Sequence, residues 1–504
     1  MSALPPIPTD EVAGPLCAEV TRFASRAIDA RAIDQAAAIP RAVLEGLAEL
    51  GLFGLTLPES HGGAGCGLRT ACQVVSELAR FDRSVAVTVG LHLGLGTRGL
   101  VAYGTPQQQE RYLPELALGQ RIAAFATTEP QAGSDLSALS TRALETDDGA
   151  LLVNGRKVFV TNGGLAGLYT LAVATPGLGG RERGQSLVLV ERTDAGLTVE
   201  AEEWKLGLKG SSTTGLVLED VRLPASRLLG EPGWAAKSLA HILSWGRTLM
   251  SAGCVGTARA ALDKVHVQVA HRRQFGKPLA ALEVVREQVA SLEALTFGMA
   301  ALVDEVARAD DEVLLGRSLA AKVFSSEGAW RVVDGAIQLH GGLGFIEDTG
   351  LALMLRDVRV TRIFEGANDV LLSHLGAGEL TRAAERAPLS KVVGVAMAGV
   401  AAKADEVAAQ VEATRQALLS RFRVGVFRQP RWMHQLGAAC CWREAVDAAV
   451  RRADASGRTE DVARASLLTL QAKSEVARLV HEPVPRDLVE VALSDTLPLP
   501  EVRP

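Results

Sequence analysis

The sequence predicts an α+β fold, mostly α, in which one block of strands separates two helical regions. Three observations carry this. The composition is rich in alanine, leucine and valine with only 4% aromatic residues, and alanine and leucine lose little entropy in helices, whereas β-branched and aromatic residues favour strands. Apolar residues recur every three to four positions before residue 123 and after residue 230. Between those points the pattern changes to short β-rich runs broken by turn dipeptides. Strands grouped in one block, rather than alternating with helices, define the α+β class.

Residues 1–122 are expected to form an N-terminal helical domain. In "RAVLEGLAELGLFGL" the helical period stops at Gly51, and "LPESHGGAGCG" reads as a loop. Helical patterning resumes in "RTACQVVSELARFD" and "TPQQQERYLPELALG", where Thr105 is the expected N-cap before Pro106. Residues 123–230 hold "ALLVNGRKVFVTNG", "LYTLAVATP", "QSLVLVERTDAGLTVE" and "TGLVLEDVRLP" with no helix between them, which predicts an antiparallel β-domain. Residues 231–378 return to helix, first in a long span from Ala235 to Gln274, then over Ala281–Ala309 and Leu315–Leu339. Residues 379–504 are a further helical extension large enough to be a domain, in which "KADEVAAQVEATRQALLSRF" reads as a solvated amphipathic helix.

A net charge of −5 gives no overall attraction to nucleic acid. The six cysteines have no CxxC spacing and no histidine pattern, so they read as free thiols in a reducing compartment, with neither a disulfide framework nor a metal site. "MSALPPIPTDEV" lacks the features of a secretory or organelle leader. The apolar run Val392–Ala402 is too short to span a bilayer. A cytoplasmic location is the expectation. The basic, aromatic segment "SRFRVGVFRQPRWMHQL", Ser420–Leu436, suits either a solvated loop broken by Pro430 or a peripheral contact with an anionic membrane.

Several stretches could carry chemistry. In "FATTEPQAGSDLSAL", hydroxyls and a Gly-Ser-Asp turn could bind a polar cofactor or simply cap a turn. Phe159 and Thr161, two apart in "NGRKVFVTNGG", could flank a flat heterocycle or be ordinary sheet packing. Arg272 and Arg273 in "AHRRQFGKPL" suit phosphate, and equally suit a helix C-terminus stopped by Gly276. The glycines of "QLHGGLGF" allow close approach to the backbone but follow a helix and lack the dinucleotide spacing. In "TRIFEGANDVL", Glu365 lies between Phe364 and Gly366. That carboxylate could be a desolvated base or a salt-bridged structural group.

In order, "TTEPQAGSD", "VFVTNGG", "KLGLKGSSTTGLVLEDVRLP", "HRRQFGKPL", "QLHGGLGF" and "RDVRVTRIFEGANDV" resemble the acyl-CoA dehydrogenase family, over about Gly51 to Gly376. The pattern is most similar to the very-long-chain branch, with a shorter C-terminal extension. The resemblance implies a C-terminal four-helix bundle and a bound FAD between that bundle and the β-domain. It implies that Phe125, Thr127, Thr128, Gly133 and Ser134 run along the flavin, and that Phe159, Val160 and Thr161 lie behind its ring. It also implies that Arg272, Gln274 and Phe275 reach the FAD of a second subunit in a homodimer or homotetramer. Gln338, Gly341 and Gly342 then belong to the adenosine end, and Ala367, Asn368 and Asp369 to a further flavin contact. Ser134, Arg247 and Gly366 fall near the acyl-CoA.

Glu365 matches the family's catalytic base, which takes the proton α to a thioester carbonyl while the β-hydrogen leaves as hydride to the flavin, giving a trans-2-enoyl thioester. Some relatives carry the base at the position of Gly246, which has no side chain to serve. Three departures concern flavin binding: Phe159 where tryptophan is usual, Ala367 for threonine, and Glu283 near a usual glutamine. The implied activity is fatty-acid β-oxidation with an electron-transfer flavoprotein as acceptor. The alternatives are an acyl-CoA oxidase or specialised acyl-thioester desaturase on the same scaffold, and a scaffold or assembly protein with little turnover, against which a retained Glu365 argues.

Overall fold

The computed structural model describes residues 11–180, 182, 184–382 and 386–480. The leaderless reading of the first ten residues and the last part of the extension lie outside these. The N-terminal region comprises α1 (Ala13–Ala27), α2 (Ala30–Ala36), α3 (Arg41–Glu49), α4 (Leu68–Leu78), α5 (Arg83–Leu91), α6 (Arg98–Tyr103) and α7 (Pro106–Ala117). α3 stops before Gly51, whose φ of 69° suits glycine. Thr105 caps α7 as expected, in a reciprocal pair with Gln108. A π-turn over His92–Gly96 joins α5 to α6, and Arg83–Tyr103 is one continuous helix long and apolar enough, by length and composition, to cross a membrane. Val392–Ala402 is thus not the most extended apolar stretch, and 78% of the most apolar window of Arg83–Tyr103 is buried inside the protein, where an all-round apolar helix belongs.

The strands are β1 (Ile122–Ala126), β2 (Arg142–Glu145), β3 (Leu151–Thr161), β4 (Ala166–Ala174), β5 (Gln185–Glu191), β6 (Leu197–Val199), β7 (Thr213–Leu223) and β8 (Leu228–Leu229). They form one sheet in the order β6-β7-β3-β2-β4-β5-β8, with β1 beside β4. The expected antiparallel sheet is in fact mixed, since β1 and β2 both pair with β4 in parallel. The long excursion from β1 through the residue 127–141 loop turns the chain back before β2, and periodicity along a strand does not encode that direction.

After the sheet come α8 (Ala235–His271), the hairpin β9 (Arg273–Gln274) and β10 (Lys277–Pro278), α9 (Glu283–Ala307), α10 (Asp311–His340), α11 (Gly342–Phe345), α12 (Leu351–Arg359) and α13 (Asn368–Thr381). α10 starts four residues before the expected Leu315 because the Asp310 side chain accepts the Val313 amide and caps it. The extension adds α14 (Ala398–Phe422), α15 (Pro430–Ser456) and α16 (Thr459–Leu479). Within Ser420–Leu436, Arg423–Arg428 is a 3-10 turn and Pro430 opens α15. The segment is thus mostly helical, not a loop, because a proline is tolerated at a first helical position. The extension's Val407, Leu436, Trp442 and Leu468 belong to the same core cluster as Leu249 and Phe297 of the bundle.

Candidate active site

The sheet, α5, α8 and the segment from α12 to α13 enclose a cavity of about 640 Å³, within the usual range for a cofactor or substrate site. Its walls are predominantly apolar, with Leu91, Leu95 and Leu243 on the helical side.

Ten of the residues singled out in the sequence line this cavity. Phe125, Thr127, Thr128, Gly133 and Ser134 come from the end of β1 and the loop after it, Phe159 and Thr161 from β3, and Glu365, Gly366 and Ala367 from the turn before α13. The loop after β1 is anchored from beneath by a fully buried ion pair. Lys157 Nζ donates to Glu129 Oε1 at 2.7 Å and to the Thr127 carbonyl at 3.2 Å. Glu129 also accepts the Ser140 and Thr141 amides, and these donors hold its carboxyl down to about 2 against the opposing effect of burial. The β3–β7 register shifts between Lys157 and Val160, and Phe159 takes a positive φ of 55°. This bulge re-aims Phe159 into the cavity mouth.

The remaining residues lie elsewhere. Val160 is buried in the sheet's own core. The Arg247 side chain is partly buried on α8 and its Nε donates to the Glu365 carbonyl at 3.0 Å. Asn368 is buried, accepting from Lys322 and donating to Ser326 and Glu327, while Asp369 faces outward towards His434. Arg272, Gln274 and Phe275 sit at the α8 end and on the β9–β10 hairpin, with Phe275 88% exposed. Gln338, Gly341 and Gly342 are at the α10–α11 junction. None of these lines the cavity of its own chain.

Glu365 has φ 55°, a strained region for a residue with a side chain. Both of its carboxylate oxygens are buried without a hydrogen-bond partner. Burial pushes its pKa up to about 7, while Arg247, Lys322 and Arg83 pull it down through charge. A β-carbon added at Gly246 would stand 2.8 Å from Glu365 Oε2, so α8 and the Glu365 turn address the same point in space.

Five contributors were not legible from sequence. Lys322, wholly buried on α10, donates to the Gly366 carbonyl and to Asn368 Oδ1, both at 2.7 Å. Together with Arg247 it fixes the base turn by two consecutive carbonyls. Burial draws the Lys322 pKa down to about 8, and Glu365 opposes this. The available signal was a lone lysine in the apolar run "LAAKVF". Trp204 and Leu208 line the cavity from a loop pinned to α12, where Asp357 accepts the Leu208 amide at 2.6 Å and Arg356 donates to Asp34 and to the Leu206 carbonyl. Nothing in the sequence singled out that pinning.

The chemistry of the lining suits a flat, hydrogen-bonding heterocycle. Phe125 and Phe159 offer faces, Thr127, Thr128, Ser134 and Thr161 offer hydroxyls, and the buried Ser211 hydroxyl on the same wall lacks a partner. A β-carbon added at Gly133 would meet nothing, which leaves the backbone there open to a ligand. These residues fit the isoalloxazine end of FAD.

Known proteins agree with this architecture. Family models for the acyl-CoA dehydrogenase N-terminal, middle and C-terminal domains match residues 15–120, 124–221 and 233–380. The mitochondrial very long-chain specific acyl-CoA dehydrogenase of Bos taurus is 36% identical over 369 residues, covering 72% of this chain and 56% of that protein. The chain thus matches little more than half the length of that relative. An acyl-CoA dehydrogenase of Bacillus subtilis (strain 168) is 35% identical over 66% of this chain and 87% of its own length. Among solved structures, an acyl-CoA dehydrogenase from Bacillus anthracis complexed with FAD superposes with a TM-score of 0.85 at 25% identity, covering 98% of this chain and 92% of that one, extension included. The chain belongs to the acyl-CoA dehydrogenase family, a family of FAD-dependent oxidoreductases.

Proposed function

We propose that the chain catalyses α,β-dehydrogenation of an acyl-CoA thioester, with Glu365 as the base that removes the α-proton. One observation carries this reading: a carboxylate with no hydrogen-bond partner, buried in a cavity wall and held in a strained backbone turn. A thioester α-proton is a weak acid, so the base must be desolvated and poised near neutral pH. Burial supplies both, and taking up the proton relieves the cost of a buried charge. Arg247 and Lys322 hold the backbone at and just after the reacting carboxylate through the Glu365 and Gly366 carbonyls. Gly366 lines the cavity and takes a φ of 100°, a conformation that suits glycine and sets the turn beside the base. FAD, when bound, accepts the β-hydrogen as hydride.

The trans-2-enoyl thioester is the proposed product, fatty-acid β-oxidation the proposed setting and an electron-transfer flavoprotein the proposed acceptor. The exposed Phe275 hairpin supports a second subunit completing the FAD site. Val424 and Phe427, exposed among arginines, support a peripheral membrane contact of a cytoplasmic enzyme. The test is anaerobic titration of the purified protein with acyl-CoAs while following flavin absorbance. Glu365→Gln should retain FAD and lose thioester-dependent bleaching by roughly 10²–10⁴-fold in rate, the usual contribution of a general base. Bleaching at the wild-type rate would remove Glu365 from that role.

A further inference from the structure

A separate cavity of about 430 Å³ lies in the extension, where the segment after α13 meets α14 and α15. None of its lining residues lines the cavity of Glu365. Its walls carry four arginines, Arg382, Arg386, Arg415 and Arg443, against two carboxylates, Asp405 and Glu412, among the described residues. Both carboxylates are already engaged. Asp405 accepts the Leu389 and Ser390 amides and the Ser390 hydroxyl, and Glu412 accepts from Arg382, Arg415 and Gln416.

The other acids that fix these arginines line no part of the cavity. Arg443, 5% exposed on α15, donates to both Glu379 oxygens at 2.7 and 2.9 Å and to Glu444 at 3.1 Å. Arg386 pairs with the buried Asp447, and Arg415 donates to the Glu379 and Arg382 carbonyls. Even so, Arg443 Nε and Arg386 Nη1 are buried with no acceptor. Burial draws the Arg386 pKa down to about 10, and the charges of Arg443, Arg451 and Arg317 add to this while Glu444 opposes it. The cavity surface is therefore cationic, built from guanidiniums that other contacts hold in place.

We propose that this cavity binds a small phosphate-bearing molecule of nucleotide size, its phosphate oxygens accepting from the converging guanidiniums of Arg382, Arg386, Arg415 and Arg443. Planar guanidiniums present paired donors that match phosphate oxygens. The volume is that of a small-molecule site and exceeds what a single anion fills. Ala408 and Ala409 on α14, with Pro388, form a small-residue wall that leaves room for a flat base or a sugar beside the anion. Such a ligand would bridge the end of α13, α14 and α15, three elements that converge only in the folded extension. The dehydrogenase reading is not needed for it.

The test is calorimetric binding and thermal unfolding of the full, FAD-loaded chain with ADP, inorganic phosphate and adenosine, in wild type, Ala409→Leu and Arg386→Gln. Loading with FAD keeps ADP out of the flavin site. Ala409→Leu fills the wall with a good helix former and touches no ion pair. Wild type should bind ADP, with a melting temperature that rises with ADP concentration. Each variant should weaken ADP binding by about 10-fold to 100-fold, the range of a lost charged hydrogen bond or of an overfilled site. Inorganic phosphate should bind more weakly than ADP, and adenosine should give no heat. Phosphate binding as tightly as ADP supports the arginine site and assigns it to the free anion. Adenosine binding as tightly as ADP, ADP binding unchanged in either variant, or neither heat nor a thermal shift with both phosphate compounds overturns the proposal. If Arg386→Gln does not fold, Ala409→Leu decides.

Discussion

Glu365 and Lys322 form a pair whose coupling can be measured. The base is active when deprotonated, so with its pKa raised to about 7 the rate should fall as pH drops through neutrality. Lys322 favours the charged carboxylate, and removing that cation raises the base further. Lys322→Met should therefore move the acid limb of kcat/KM to higher pH, with FAD content unchanged. A profile that scales down without shifting would make Lys322 a structural clamp only. The same pair shows what sequence reasoning could reach. Glu365 was legible through the company of five other motifs, since a carboxylate beside an aromatic and a glycine has two readings. Lys322 was not, because the neighbours that give it meaning, Gly366 and Asn368, are 44 and 46 residues away.

Among the elements, the loop after β1 depends on the Glu129–Lys157 pair for its shape. Both side chains are wholly buried, and removing one partner of such a pair typically costs about 3–5 kcal/mol because the other charge is stranded. Lys157→Met should lower the melting temperature and weaken FAD retention together, as read by thermal unfolding and by flavin absorbance of the purified variant. Retained FAD at a lowered melting temperature would separate the pair from the cofactor loop. Long helices such as α8 were legible because an apolar period sustained over ten turns has no competing reading. The parallel pairing of β1 with β4 was not, because a strand's alternation specifies its buried face and leaves its partner open. The bulge at Phe159 was hidden for a related reason: it arises from the β3–β7 register, a property of two segments distant in the chain.

For the whole molecule, the extension and the base turn share one mechanical path. α13 begins at Asn368, three residues after the base, and packs on α15 through Gly376 and Gly437. A β-carbon at either glycine would strike the opposite helix backbone, at Met433 and Leu372 respectively. Gly437→Val should force the helices apart at a cost of roughly 1–3 kcal/mol, the usual range for overpacking. Activity and global stability should fall in parallel, checked by denaturant unfolding alongside flavin reduction. A loss of stability with full turnover would uncouple the extension from the site. The division into helical, strand and helical regions was readable from composition and period. That the last region joins the bundle's core was not, because an amphipathic helix advertises a buried face without naming what covers it.

The glycine contact between α13 and α15 also bears on time. At the two glycines the helices touch backbone to backbone, with no side chain between them to repack, so the contact has little room for an intermediate spacing. Thermal inactivation should then follow a single exponential whose rate equals that of α15 opening to solvent, as read by amide exchange at residues 436–450. The lifetime of the enzyme would be set where the extension meets the bundle, not at its flavin.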